Sequence, residues 1–262
     1  MKKLMPALLL LLSCLPAFAE TAALPPQPVE ISAAKSLEWN RKARTYTARE
    51  NVIVTQGEVR IQSDTLTAHY NDDNGMTEIS TLKADNNVTI RSGPYTAYGD
   101  HAVYDVKTGV AVLTGADLKI TTAEDLLTAD DKIEFFSSEN RLTATGKATA
   151  RHGADTLTAD AISAYFTKDT AGKMAVSRIT GAGGVTIKTP KETATGDSGV
   201  YNVPEKKAVL TGKVRVFQGE NWLEGTRADV DMVTGISRLS GMGNADTEGR
   251  VKGVFYPKSG KN

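Results

Sequence analysis

One cysteine, three histidines and two tryptophans in 262 residues leave little from which to build a reactive centre. The cysteine, Cys14, falls in an amino-terminal apolar stretch, so no disulfide framework staples the fold. His69, His101 and His152 are scattered, with no cysteines or carboxylates at ligand spacing beside them, and the sequence calls for no metal and no cofactor. Charge of one sign is missing as well: 31 basic and 31 acidic residues cancel, which removes the long-range pull expected of a nucleic-acid partner. No G-x-S-x-G nucleophile motif occurs, and Gly181-Ala182-Gly183-Gly184 leads into an apolar strand pattern rather than a helix. It therefore reads as a turn or bulge, not a phosphate cradle. The apolar run at residues 4–12 is too short to cross a bilayer.

What is present begins with an export signal. Lys2 and Lys3 precede the apolar run, and Ala17-Phe18-Ala19 is a small-x-small cleavage site, which makes residues 1–19 a signal peptide. A rival reading takes Leu11-Leu12-Ser13-Cys14 as a lipobox with a lipidated cysteine. Residues 20–35 form a Pro-rich lead expected to be extended, with a hint of a strand at Val29 and Ile31. One repeated β domain is expected over residues 36–247. Residues 248–262 read as a tail that either adds a last edge strand or is disordered.

From Trp39 onward apolar residues alternate with polar ones, as in Val52/Val54, Val88/Ile90 and Val214/Val216, with Thr89, Lys119, Thr186 and Arg215 on the opposite face. The phrase Ala111-Val112-Leu113-Thr114-Gly115 returns as Ala208-Val209-Leu210-Thr211-Gly212, each after a Tyr, at 104 and 201. Val52, Val88, Leu118, Ala148, Val185 and Val214 recur every 29 to 37 residues. About twelve residues after each comes an anchor: Asp64, Asp100, Asp131, Asp160 and Asp197, with Thr226 in the sixth copy. A unit of this size that cannot bury itself alone implies a stacked array. The slack in its turn lengths favours antiparallel meanders over a parallel β-helix.

An Asp that occurs once per repeat reads as a ladder of turn positions bonding backbone amides, because catalysis needs one convergent constellation. The chain is therefore read as no enzyme. A carbohydrate-active β-helix would need carboxylates gathered on one outer face, and none gather. Trp39 and Trp222 read as caps on the apolar interior. That interior, rich in small and branched side chains, either fills itself as a structural β-solenoid or leaves a groove. A groove would suit an acyl chain, since about 0.8 kcal/mol per exposed CH₂ makes a dozen carbons cost on the order of 10 kcal/mol in water.

The A-V-L-T-G phrases, the lead-in E-N-V-I-V-T-Q-G at residues 50–57, and Gly99-Asp100 with Ala102 and Tyr104 resemble the OstA-like family over about residues 36–241. The resemblance implies an all-β, elongated, twisted antiparallel β-jellyroll of about six repeats, open at both ends. It implies a non-enzymatic periplasmic carrier, or bridge, whose interior shields the acyl chains of lipopolysaccharide. The inner-membrane-associated member of the same fold remains the alternative. On this basis the groove face is Val52, Val54, Val59, Ile61, Leu66, Val88, Ile90, Leu118, Ile120, Ile133, Phe135, Ile162, Val185, Ile187, Val214 and Val216. The docking edges are Val29 and Ile31 at one end, and Ile236 and Leu239, or the stretch 251–255, at the other. Implied partners are lipopolysaccharide, the inner-membrane-anchored and outer-membrane translocon members of the same system, and further copies of the chain end to end.

Overall fold

A computed structural model describes residues 29–73, 76–169, 174–241 and 250–256; the expected signal peptide and Cys14 lie outside them. The described residues form one antiparallel sheet of 18 strands that runs through the chain almost in sequence order. At its start, β1 (Glu30–Ser32) and β2 (Ser36–Asn40) lie side by side along β3 (Thr45–Gln56). The chain then meanders through β4 (Val59–Asp73), β5 (Met76–Ser92) and β6 (Tyr95–Asp105). The next two legs are broken in the middle, into β7 (Val110–Thr114) with β8 (Leu118–Thr121), and β9 (Asp125–Ala129) with β10 (Lys132–Phe136). Long strands resume with β11 (Arg141–His152), which pairs with both β9 and β10, and continue through β12 (Asp155–Lys168), β13 (Met174–Lys188), β14 (Thr193–Asn202), β15 (Lys207–Gln218) and β16 (Asn221–Asp231). The last leg is again split, with β17 (Ile236–Ser240) and β18 (Lys252–Val254) both on β16. β1 thus starts inside the expected Pro-rich lead, and β18 lies in the expected tail.

The legs are longer than short alternating pairs imply, because each crosses a corner without ending. On β3, β5, β11, β13 and β15 the corner is two successive residues with positive φ: Glu50-Asn51, Asn86-Asn87, Gly146-Lys147, Gly183-Gly184 and Gly212-Lys213. The pairing register shifts at each, as in a β-bulge. The strand bends there, so its two halves contribute to two facing layers of a jellyroll. Gly181-Ala182-Gly183-Gly184 is one of these bulges.

The repeated Asp holds the corner. Asp100 Oδ2 accepts the Ala116 backbone N–H at 2.8 Å, and Asp64 Oδ2 accepts Asn87 Nδ2–H at 2.8 Å. Asp131, Asp160 and Asp197 stand against Gly146, Gly183 and Gly212 so closely that a Cβ on any of these glycines would collide with the carboxylate. In the sixth copy Thr226 Oγ1–H instead donates to the Ser240 carbonyl at 3.2 Å. The ladder stands at the corners, with a backbone bond at Asp100 and close packing against a glycine at Asp131, Asp160 and Asp197.

Beside each corner sits the best-sealed part of the core. Val52, Val88, Val185 and Val214 are less than 2% exposed. Each faces a small cross-strand partner, respectively Ser63, Gly99, Gly196 and Gly225. The missing side chains leave room for others: a Cβ on Gly99 would meet Leu113 and one on Gly225 would meet Leu239, and each valine buried this way contributes about 1.5–3 kcal/mol. Two residues farther out, Ile90, Ile187 and Val216 are only half-buried. The layers are tight at the corner and part away from it.

Candidate functional site

Where the layers part, a cavity of about 240 Å³ opens between them. One wall carries the row Val54, Ile61, Ile90, Ala97 and Ile120, held in register across β3, β4, β5, β6 and β8. The facing wall carries Leu66, Ala84, Ala102, Leu113, Ile133 and Leu142, with Tyr104 and Phe135 beside them and Phe166 and Met174 from β12 and β13 closing the far side. Alternation puts every second side chain of each strand on this face, so register alone converts the sequence pattern into two apolar walls.

Of the sixteen residues expected on the groove face, Val54, Val59, Ile61, Leu66, Ile90, Ile120, Ile133 and Phe135 line the cavity together. Val52, Val88 and Leu118 share its core but are sealed at the corners. Ile162 is buried in the same core, outside the cavity wall. Val185, Ile187, Val214 and Val216 belong to the later legs, beyond the cavity. Sequence reasoning missed Tyr95, Leu142, Phe166, Met174 and Ser92, all of which line it. The signal for Tyr95 was present in the chain: it opens a strand straight after the Gly93-Pro94 turn and falls in phase with Ala97.

The polar complement is small. Ser92 is buried on the cavity wall, and its hydroxyl has no partner among the described residues. In the later legs the Tyr201 hydroxyl is also buried without a partner, and burial pushes its pKa up to about 12. His101 Nδ1 lies 2.7 Å from Asp85 on the outer face, His152 Nδ1 lies 2.7 Å from Asp125 at the end of β11, and His69 borders a separate polar depression with Arg44 and Lys83. No group of three or more metal-ligating side chains gathers among the described residues.

Among the described residues the sheet does not close on itself, and its two ends are split legs with strand partners on one side only. Val29, Ile31 and Leu37 lie at the first edge, Ile236 and Leu239 at the last; Leu37 and Ile236 are more than 60% exposed. Trp39 also stands at the first edge, half-exposed, stacked on Tyr46 at 5.7 Å and donating its Nε1–H to Tyr70 Oη at 2.9 Å, with the Arg41 guanidinium 4.2 Å above its ring. Phe255 and Tyr256 are exposed just beyond β18. No helix among the described residues is long and apolar enough to cross a membrane.

The described residues define an all-β, antiparallel jellyroll that encloses an apolar cavity between its layers. The family described as the LptA/(LptD N-terminal domain) LPS transport protein matches the chain twice, at residues 30–137 and 129–236, and the chain belongs to that family. Family and fold are those of a lipopolysaccharide-transport component. An uncharacterized protein of Rhizobium meliloti (strain 1021) is 28% identical over 149 residues, 55% of this chain and 77% of that one. The crystal structure of LptH, described as the LptA-homologous periplasmic component of the lipopolysaccharide transport device of Pseudomonas aeruginosa, aligns over 88% of this chain and 96% of that one, with 17% identity and a TM-score of 0.23.

Proposed function

We propose that this protein is a periplasmic carrier that holds acyl chains of lipopolysaccharide in the interlayer cavity and passes them between like-folded partners docked at its sheet edges. The observation that carries the reading is the cavity itself: two apolar walls held in register, in a member of a lipopolysaccharide-transport family. Residues 1–19 would serve as the export signal, and residues 36–247 as the working domain. Transfer would run from an inner-membrane-anchored member of the same system, through this chain and end-to-end copies of it, to the amino-terminal domain of the outer-membrane translocon. Edge strands donate and accept backbone hydrogen bonds without reference to side chains, so one fold can dock with another of its kind by β-augmentation. No step requires covalent chemistry; the carrier only replaces water around the acyl chain.

The test is site-specific photocrosslinking in cells. A photoreactive residue at Ile61 or Ile90, on the cavity wall, captures lipopolysaccharide. One at Thr89, whose side chain points to the opposite face of β5, does not, and one at Ile187 captures less than Ile90. Equal capture from both faces of β5 would end the carrier reading.

A further inference from the structure

The chain is a tandem of two related halves, and comparing them isolates one residue. Ser92 lies five residues beyond the Asn87 corner, and Thr189 lies five beyond the Gly184 corner, so the two hold equivalent places at the ends of β5 and β13. Both are buried, at 7% and 8% exposure. Thr189 spends its hydroxyl on the turn that follows: Oγ1 accepts the N–H groups of Lys191 and Glu192 at 3.3 and 3.2 Å and donates to the Glu192 carbonyl at 3.2 Å. Ser92 has no such use. Its turn is Gly93-Pro94, and proline has no N–H where Lys191 offers one. The Ser92 hydroxyl is left without a partner on a mostly apolar cavity wall whose other polar side chains are Gln56, Asn140, Tyr95 and Tyr104.

A buried hydroxyl without a partner is rare in folded proteins, and such groups mark places where something else completes the bond. We infer that Ser92 is the specificity-determining contact of the cavity. Its hydroxyl bonds an oxygen carried along the ligand's hydrocarbon chain, a hydroxyl or an ester carbonyl, so that the slot selects oxygen-substituted acyl chains over plain ones. The inference rests on the reading of the cavity as an acyl-chain site. Its size points the same way: about 240 Å³ lies just below the roughly 300–1,000 Å³ usual for drug-sized ligands, enough for a segment of one chain. A chain threaded there presents each carbon at a fixed depth. Only an oxygen at the right depth meets Ser92, beside the β5–β6 turn.

The experiment uses the mature full-length protein and saturated fatty acids of one length: one unsubstituted, the others with a single hydroxyl walked along the chain. Binding is read by displacement of a fluorescent fatty acid. The wild-type protein is expected to prefer one hydroxyl position over the plain acid by about 3–10-fold, the value of one neutral hydrogen bond. Ser92→Ala abolishes that preference, so that the plain and hydroxylated acids bind alike. Ser92→Thr, which copies the residue at the equivalent place in the second half, keeps a hydroxyl and retains the preference. Equal binding of every isomer by the wild type overturns the inference and leaves the acyl-chain site standing, as does a preference that survives Ser92→Ala. Failure of every acid to bind overturns both.

Discussion

Conformational strain in this fold is concentrated at its corners. Lys147 and Lys213 adopt φ of 44° although neither is glycine, asparagine or aspartate, the residues that visit this region most cheaply. At the equivalent place β13 has Gly184. Lys213→Gly should relieve roughly 1–2 kcal/mol of steric strain, offset by about 0.5–1 kcal/mol of added unfolded-chain entropy. The expected net result is a Tm unchanged or raised by a few degrees. Gly212→Ala should do the reverse: at φ 75° its Cβ collides with the Asp197 carboxylate. A loss of about 2 kcal/mol would lower Tm by roughly 4–8 °C in a domain of this size, and Asp197→Ala in the same chain should restore part of it. Calorimetry of the three variants decides; an unchanged Tm for Gly212→Ala would refute the close packing at this corner. At this scale the sequence was half legible. The Thr-Gly phrase and the spaced Asp both stood out, but their meeting did not, because Asp197 and Gly212 approach only once β14 and β15 are in register.

The leg is the next scale, and its turns show how it responds to acid. At one end of the sheet the residue leading into the turn is an acceptor for the amides that follow. Asp105 Oδ1 takes the Thr108 N–H at 2.8 Å, Asp231 Oδ1 takes the Val233 and Thr234 N–H groups at 2.9 Å, and Asn202 and Asn40 do the same for Glu205 and Ala43. Those backbone bonds lower the pKa values of Asp105 and Asp231 below the ordinary 3.8. Their support is present above 3.8 and is lost as pH falls through the lower folded values. Burial acts oppositely on Asp155 and Glu192, raising both above their ordinary 3.8 and 4.5. Their cost exists at neutral pH and disappears as pH falls through the raised values. Tm is therefore expected to climb slightly from pH 7 into the mildly acidic range and to drop below about pH 3.8. Asp155→Asn should flatten the climb, and a Tm falling steadily from pH 7 would contradict this assignment. The legs also show why the sequence divides them too finely. On β4 the inward positions run Ile61, Ser63, then Leu66 and Ala68, slipping by one at Asp64-Thr65. A one-residue slip looks like the end of a strand in an alternation count, whereas here it is the partner's bulge continued through the sheet.

Across the whole molecule, two homologous halves share one uninterrupted sheet, yet the cavity runs only as far as Met174. Repetition was visible in the phrases after Tyr104 and Tyr201, but where this cavity forms depends on facing side chains that no single strand displays. Ala84 and Ala102 of the first half are replaced in the second by Gly181 and Gly199. Val185 comes within 3.0 Å of where a Cβ on Gly181 would sit, and Leu210 within 3.2 Å of one on Gly199, so at these two positions larger neighbours take the space that Ala84 and Ala102 fill in the first half. The two sheet edges lie at opposite ends of this array; each exposes an apolar side chain, Leu37 or Ile236, and the charges on their strands are opposite in sign, Glu30 and Glu38 at the first edge against Arg238 and Lys252 at the last. Head-to-tail pairing should appear in light scattering as a mass that grows with concentration, and Ile236→Asp should return the protein to a single copy. In a chain freed of residues 1–19, and hence of Cys14, cysteines at Ile31 in one copy and Leu239 in another should form an intermolecular disulfide on mild oxidation. Ile31→Cys mixed with Thr158→Cys should not, because β12 is paired on both sides and offers no free edge. Bonds between two Ile31→Cys copies in preference to the Ile31–Leu239 pair would mean that like edges meet, and that arrangement makes a closed dimer where a bridge needs an open chain.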